Sequence, residues 1–167
     1  MAFVIREASI EDLPALEAVE LRAAQRFDFE MVVAGLGKRT IPMHELEAAQ
    51  AAKTLWVATN LAQEVVGFLL AEKLDKNLHV AEMSVVPSHG GQGIGAALLE
   101  AVSRHAHETG CPRVTLTTFA TVPWNAPFYL KHGFRAMAES EIGVGLDARI
   151  QHEKSLGLID RIAMCRE

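Results

Sequence analysis

The sequence predicts a single α/β domain, a mixed sheet with helices on both faces. Three observations carry this. Some segments alternate apolar and polar residues or run apolar for a few positions, while others repeat apolar residues at helical spacing. The segments follow the order β-α-α-β-β-β-α-β-α-β-(α)-β, with hairpin-like strands first and a β-α-β unit later. Half of the 167 residues are apolar and 22% are charged, the balance of a chain that buries one core.

Each element has its own signal. Residues Phe3 to Glu7 alternate as a half-buried strand does. The following helix carries Leu13, Leu16, Val19 and Ala23 on one face. Ser9 and Asp12 have capping-box spacing, and Pro14 in the first turn favours Asp12 as the cap. Residues 25 to 43 read as irregular, broken by Gly35, Gly37 and Pro42. A second helix is expected over Met43 to Ala52. Leu55 to Ala58 and Val65 to Ala71 form a hairpin around a turn at Asn60 to Glu64, and Leu78 to Val86 is a third strand ended by Pro87.

A glycine-rich loop follows, then a helix with Ile94, Ala97, Leu98, Ala101, Val102 and His105 at helical spacing, closed by Gly110. Val114 to Phe119 is a strand. Asn125 has the character of an N-cap, with Pro127 in the first turn and Gly133 at the C-terminal cap. Phe134 to Met137 and Asp160 to Cys165 read as late strands. Ile142, Leu146 and Ile150 mark a helix between them that Gly143 and Gly145 weaken.

Composition excludes several classes. Cys111 and Cys165 form no C-x-x-C pair, which argues against a disulfide scaffold or a cysteine zinc finger and fits a reducing cytoplasm. No apolar run approaches the ~20 residues of a membrane span, and the N-terminus lacks a signal-peptide pattern. The net charge of −5 argues against nonspecific nucleic-acid binding and favours a cationic small partner. The seven histidines show no metal-ligand spacing, and no metal is expected.

The chemistry concentrates in Val85-Val86-Pro87-Ser88-His89-Gly90-Gly91-Gln92-Gly93-Ile94-Gly95-Ala96. A strand ends, glycines turn the chain, and a helix begins. Unpaired N–H groups and the positive end of the helix dipole make such a start an anion site. Many glycine turns only join strand to helix, so the loop alone does not decide between connection and binding. No Lys-Ser or Lys-Thr follows, which excludes a Walker loop. The absence of G-x-G-x-x-G argues against a dinucleotide site.

The arrangement resembles the GNAT superfamily of acetyl-CoA-dependent N-acetyltransferases. There, a strand ending near V-x-P leads into an R/Q-x-x-G-x-G/A loop and a helix, a pattern taken here by Gly90 to Gly95. The family's later Asn, Tyr-bearing helix and Gly-Phe match Asn125-Ala126-Pro127-Phe128-Tyr129-Leu130-Lys131-His132-Gly133-Phe134. The resemblance runs over roughly residues 3 to 137. It implies a GNAT-like, mostly antiparallel mixed sheet and acetyl-CoA as co-substrate. The implied contacts are Val85, Val86, Gly90, Gly91, Gln92, Gly93, Ile94, Gly95, Ala96, Asn125 and Phe128. Splayed strands would leave backbone groups of Val85 and Val86 to pair with the pantetheine arm. Gly90 stands where the family usually has Arg or Gln, a departure worth about 1 kcal/mol of affinity.

The resemblance also makes Tyr129, the only tyrosine, a general acid on the departing thiolate; without it, a packing role would be preferred. Two proton acceptors on the strand before the loop, His79 and Glu82, are candidates for the base. Being three apart, they should take opposite faces. Glu82 is preferred because it lies nearer the loop. Trp124 reads as a helix anchor in preference to part of the substrate wall, and Phe27, Phe29 and Met31 as either loop packing or a cover over the acceptor. The expected reaction is direct acetyl transfer to a primary amine of a small molecule. The alternatives are a protein amine as acceptor, or a non-catalytic acetyl-CoA sensor. The expected partners are a small-molecule amine, no nucleic acid and no membrane, with a homodimer as one option for the assembly.

Overall fold

The computed structural model describes residues 2–27 and 39–167. Its strands are β1 (Phe3–Glu7), β2 (Leu55–Asn60), β3 (Val65–Leu74), β4 (Asn77–Val85), β5 (Val114–Phe119), β6 (Arg135–Ala136) and β7 (Arg161–Arg166). The helices are α1 (Leu13–Ala24), α2 (Met43–Ala51), α3 (Ile94–Glu108), α4 (Ala126–Lys131) and α5 (Val144–Ser155). The strand order is β1-β2-β3-β4-β5-β7-β6. β1–β2, β2–β3, β5–β7 and β6–β7 are antiparallel. β4 pairs β5 in parallel over two residue pairs, Leu78↔Val114 and His79↔Thr115. This is the mixed sheet that the element order implied, mostly antiparallel as the family resemblance implied. Phe29 and Met31 lie outside the described residues, and Phe27 closes a turn after α1.

The chain forms two compact units: residues 1–72 with 81–102, and residues 73–80 with 103–167. In the first, α1 buries Leu13, Leu16 and Val19, and β2 and β3 bury Val57, Phe68 and Leu69. Asp12 settles the entry to α1. Its carboxylate accepts the Ser9 N–H at 2.7 Å and a bidentate pair of bonds from Arg6 at 2.6 and 2.9 Å, after a 3₁₀ turn over Ile10–Asp12. The Arg6 guanidinium, more than any other neighbour, lowers the Asp12 pKa.

In the second unit, Leu146, Ile150 and Ala163 form a buried cluster, with Leu74, Met137 and Ile142 packed on it. Gly143 and Gly145, the residues that weakened the helix in sequence, have a spatial reason to be there. Asp75, at the β3–β4 turn, caps α5 by accepting the Gly145 and Leu146 N–H groups at 2.8 and 3.1 Å. A Cβ at Gly143 would strike that carboxylate, and one at Gly145 would come within 2.8 Å of it. The helix therefore starts at Val144, two residues later than Ile142 suggested, and runs on to Ser155. The last strand also starts one residue late. Asp160 takes a left-handed conformation (φ +61°) and is held by Thr121, so the ladder begins at Arg161. The strand expected over Phe134 to Met137 is only Arg135–Ala136, and Phe134 is core.

Candidate active site

The loop after β4 is built from backbone. Val86 donates its N–H to Val66 O on β3 at 2.9 Å, and its carbonyl accepts the His89 N–H at 2.9 Å. Both polar groups of Val86 are thus engaged, which corrects the expectation that they face a ligand. Successive residues of a strand direct their N–H and C=O to opposite edges, so those of Val85 point away from β3. The sheet is tight here. A Cβ on Gly67 would approach Ser84 O to 3.0 Å and Ile94 Cγ2 to 3.2 Å. Glycine is required at this position, although nothing in the local sequence signals it.

A 3₁₀ turn over Pro87–His89 follows, closed by Gly90 N–H to Pro87 O at 3.1 Å. Gly91 and Gly93 adopt positive φ (+73° and +87°), and a Cβ on either would meet nothing within 4 Å. Helix α3 closes its first bond from Ala97 N–H to Gly93 O at 3.0 Å. Among the described residues, no acceptor serves the N–H groups of Gly91, Gln92, Gly93, Ile94, Gly95 or Ala96. Six open donors stand at the head of a 15-residue helix, with open space at Gly91 and Gly93. That is a cradle for an anion approached by backbone alone. Ile94 contributes only its N–H, since its side chain is core.

The two proposed bases on β4 lie in different surroundings. His79 is 1% exposed. Its Nδ1 shares a hydrogen bond with Thr115 Oγ1 at 3.0 Å. Burial pushes its pKa down to about 4; Glu153 and Asp75 partly oppose the drop, and Arg161 adds to it. A polar cluster lies on this side, where Glu153 takes the Thr117 hydroxyl at 2.7 Å and Arg161 Nε at 3.1 Å. Glu82 is half-buried and accepts the Ser84 hydroxyl at 2.7 Å along its own strand face.

Glu20 was not singled out in the sequence, yet it bears on Glu82. It sits four residues after Leu16 on the inward stripe of α1 and accepts the Ile41 N–H at 3.0 Å. Burial first, then the Glu82 carboxylate, pushes its pKa up to about 7. A charged residue on an apolar stripe was the available signal.

Asn125 and Tyr129 belong to a second local arrangement. The Asn125 carbonyl accepts the Phe128 and Tyr129 N–H groups at 2.9 and 3.2 Å and so opens α4. Asn125 stands at the N-cap position, as expected, but its side chain makes no bond to the helix N–H groups. Instead, Oδ1 accepts the Thr118 hydroxyl at 2.8 Å. The Tyr129 ring is half-buried, edge-on to Phe128 at 5.3 Å and to Phe134 at 5.7 Å. Gly133 turns the chain at φ +82°, and the Phe134 N–H returns to Tyr129 O at 3.1 Å. Trp124 is 41% exposed, more open than a packed anchor.

The profile of the acetyltransferase (GNAT) domain matches residues 51–136, which contain the loop, both β4 candidates, Asn125 and Tyr129. The chain therefore belongs to the GNAT acetyltransferase family, the acetyl-CoA-dependent N-acetyltransferases.

Solved structures share the fold over nearly the whole chain. The PaiA N-acetyltransferase of Thermoplasma acidophilum, solved with coenzyme A, is 18% identical with a TM-score of 0.71, covering 100% of this chain and 99% of that one. Rv2747 of Mycobacterium tuberculosis, solved with CoA and NLQ, is 21% identical with a TM-score of 0.71 and 98% coverage of both chains. The ribosomal-protein-S18-alanine N-acetyltransferase of Escherichia coli is 18% identical with a TM-score of 0.62, covering 98% of this chain and 92% of that one.

Proposed function

We propose that this chain, acting as one catalytic domain, transfers the acetyl group of acetyl-CoA directly to the primary amine of a small molecule. The observation that carries the reading is the row of unpartnered N–H groups from Gly91 to Ala96 at the head of α3. These donors, with the helix dipole, suit the coenzyme's diphosphate. Open space at Gly91 and Gly93 admits it without a clash. Gly90 adds no side-chain donor, so recognition rests on backbone. The outward-facing backbone of Val85 is suited to hydrogen-bond the pantetheine arm in the manner of an added strand. Asn125 and Phe128 supply further coenzyme contacts.

In the reaction, the acceptor nitrogen attacks the thioester carbonyl carbon, the C–S bond breaks, and its electron pair leaves on sulfur. Tyr129 gives its phenolic proton to that sulfur. Glu82 takes the proton from the amine, directly or through a water. Supporting Glu82 over His79 is the sealed position of His79, whose proton affinity is too low for base work near pH 7. The raised pKa of Glu20 further supports proton traffic near neutrality beside Glu82. The relatives do not choose the acceptor. N-acetylglutamate synthase of Neisseria gonorrhoeae and the ribosomal-protein enzyme share the fold and differ in what they acetylate.

The test is thermal. Acetyl-CoA should raise the melting temperature by mass action. Gly93→Val, which forces a β-branched residue to φ +87°, should remain folded and lose the whole shift. An unchanged shift in that variant places the coenzyme elsewhere. An amine and peptide screen reading free thiol then identifies the acceptor class, and peptide turnover without small-amine turnover overturns the small-molecule assignment.

A further inference from the structure

We propose that Thr118 is a positioning residue for acetyl transfer, locking the Asn125 carboxamide with its N–H₂ group turned outward to the coenzyme. The inference rests on the reading of Asn125 as a coenzyme contact and adds the residue that makes that contact specific. Thr118 lies on β5 opposite Ile162 of β7 and is 2% exposed. A hydroxyl that deep needs a partner, and it donates to Asn125 Oδ1 at 2.8 Å.

A carboxamide has one oxygen and one N–H₂ group. With a donor bound to the oxygen, the N–H₂ end must face the other way. Among the described residues it has no acceptor there. The half-buried Asn125 thus presents a fixed donor, suited to a carbonyl or other acceptor oxygen of the coenzyme.

The backbone at Asn125 couples the same lock to the reacting end. Its carbonyl receives the Tyr129 N–H at 3.2 Å, so the residue whose side chain Thr118 holds also opens the helix that carries Tyr129. The nonpolar isostere valine fits the same space but supplies no donor. Thr118→Val therefore frees the carboxamide to flip while leaving β5 packed.

The experiment titrates coenzyme A itself into the intact protein by calorimetry, so no acceptor is needed. Thr118→Val should bind about fivefold more weakly, the scale of one hydrogen bond, and Thr118→Ser should stay within twofold of wild type. Asn125→Ala should lose at least as much, and Thr118→Val should cost nothing further in that background. Asn125→Asp, which keeps an acceptor for Thr118 and has no outward donor, should match Asn125→Ala. The Asn125 side-chain N–H₂ resonances should shift on adding coenzyme A in wild type and not in Thr118→Val.

Unchanged binding in Thr118→Val, an equal loss in Thr118→Ser, or an independent loss in the Asn125→Ala background overturns the positioning role. Asn125→Ala binding like wild type overturns it too, by removing Asn125 from the contact. Wild type that fails to bind coenzyme A overturns the functional reading as a whole. If Thr118→Val shows no melting transition, Thr118→Ala takes its place under the same criteria.

Discussion

The two halves of β4 differ more than their shared strand suggests. In the first half, His79 is enclosed and bonded to Thr115, and Leu78 and Val80 are buried beside it in sequence. In the second half, Glu82 is half-buried, Val85 turns its polar backbone away from β3, and the chain then opens into the glycine loop. Each half bears a titratable group that could accept a proton. One is enclosed against a hydrogen-bond partner, and the other keeps partial exposure. Burial decides the difference. Removing an imidazole from water disfavours its charged form and lowers its proton affinity, whereas the same penalty on the carboxylate of Glu20 raises it.

Kinetics separates the two halves of β4 most strongly. Glu82→Ala should lower kcat/KM at neutral pH by about 100-fold or more and abolish the acid limb of its pH profile. His79→Gln should keep that limb and most of the rate. Loss of the limb in the His79 variant alone would reverse the two halves, and its persistence in both variants would mean that the amine loses its proton in solution.

Stability against pH tests the sealed half. The ordinary value of 6.5 applies to the unfolded chain, and the folded His79 stands at about 4. Below pH 6.5 the unfolded state takes up the proton first, so stability falls between pH 6.5 and 4. The loss from this residue is about 3 kcal/mol by pH 4. Denaturant midpoints for His79→Gln should be flatter over that window than those of wild type.

Glu20 acts with the opposite sign, and its effect is the smaller because this half-buried carboxyl stays partly screened by solvent. Its folded value of about 7 lies above the ordinary 4.5. Stability from the neutral carboxyl is full below pH 4.5 and is lost as pH rises toward 7. Glu20→Gln, neutral throughout, should remove that decline. A decline that persists unchanged would show that Glu20 is as easily ionised folded as unfolded.

Local structure was legible from the residues alone. The strand-loop-helix around Gly90–Gly95 could be read because glycines, Pro87 and a 3.6-residue period act within a few residues. The Asn125-to-Phe134 run was legible for the same reason, as were the hairpin and the element order. The tertiary structure decided everything that depends on a partner far along the chain. Strand periodicity places His79 and Glu82 on opposite sides but does not say which side is sealed. Only the β3 pairing shows that Val86 is engaged and that Val85 directs its polar backbone away from β3. Glu20, Thr118 and Gly67 acquire meaning from residues 62, 7 and 17 positions away, Glu82, Asn125 and Ser84. Asp75 explains two glycines that looked like helix breakers, because its carboxylate fills the space where their side chains would go. Local conformation follows from each residue's own stereochemistry. Burial, hydrogen-bond partnership and proton affinity depend on what the fold brings alongside.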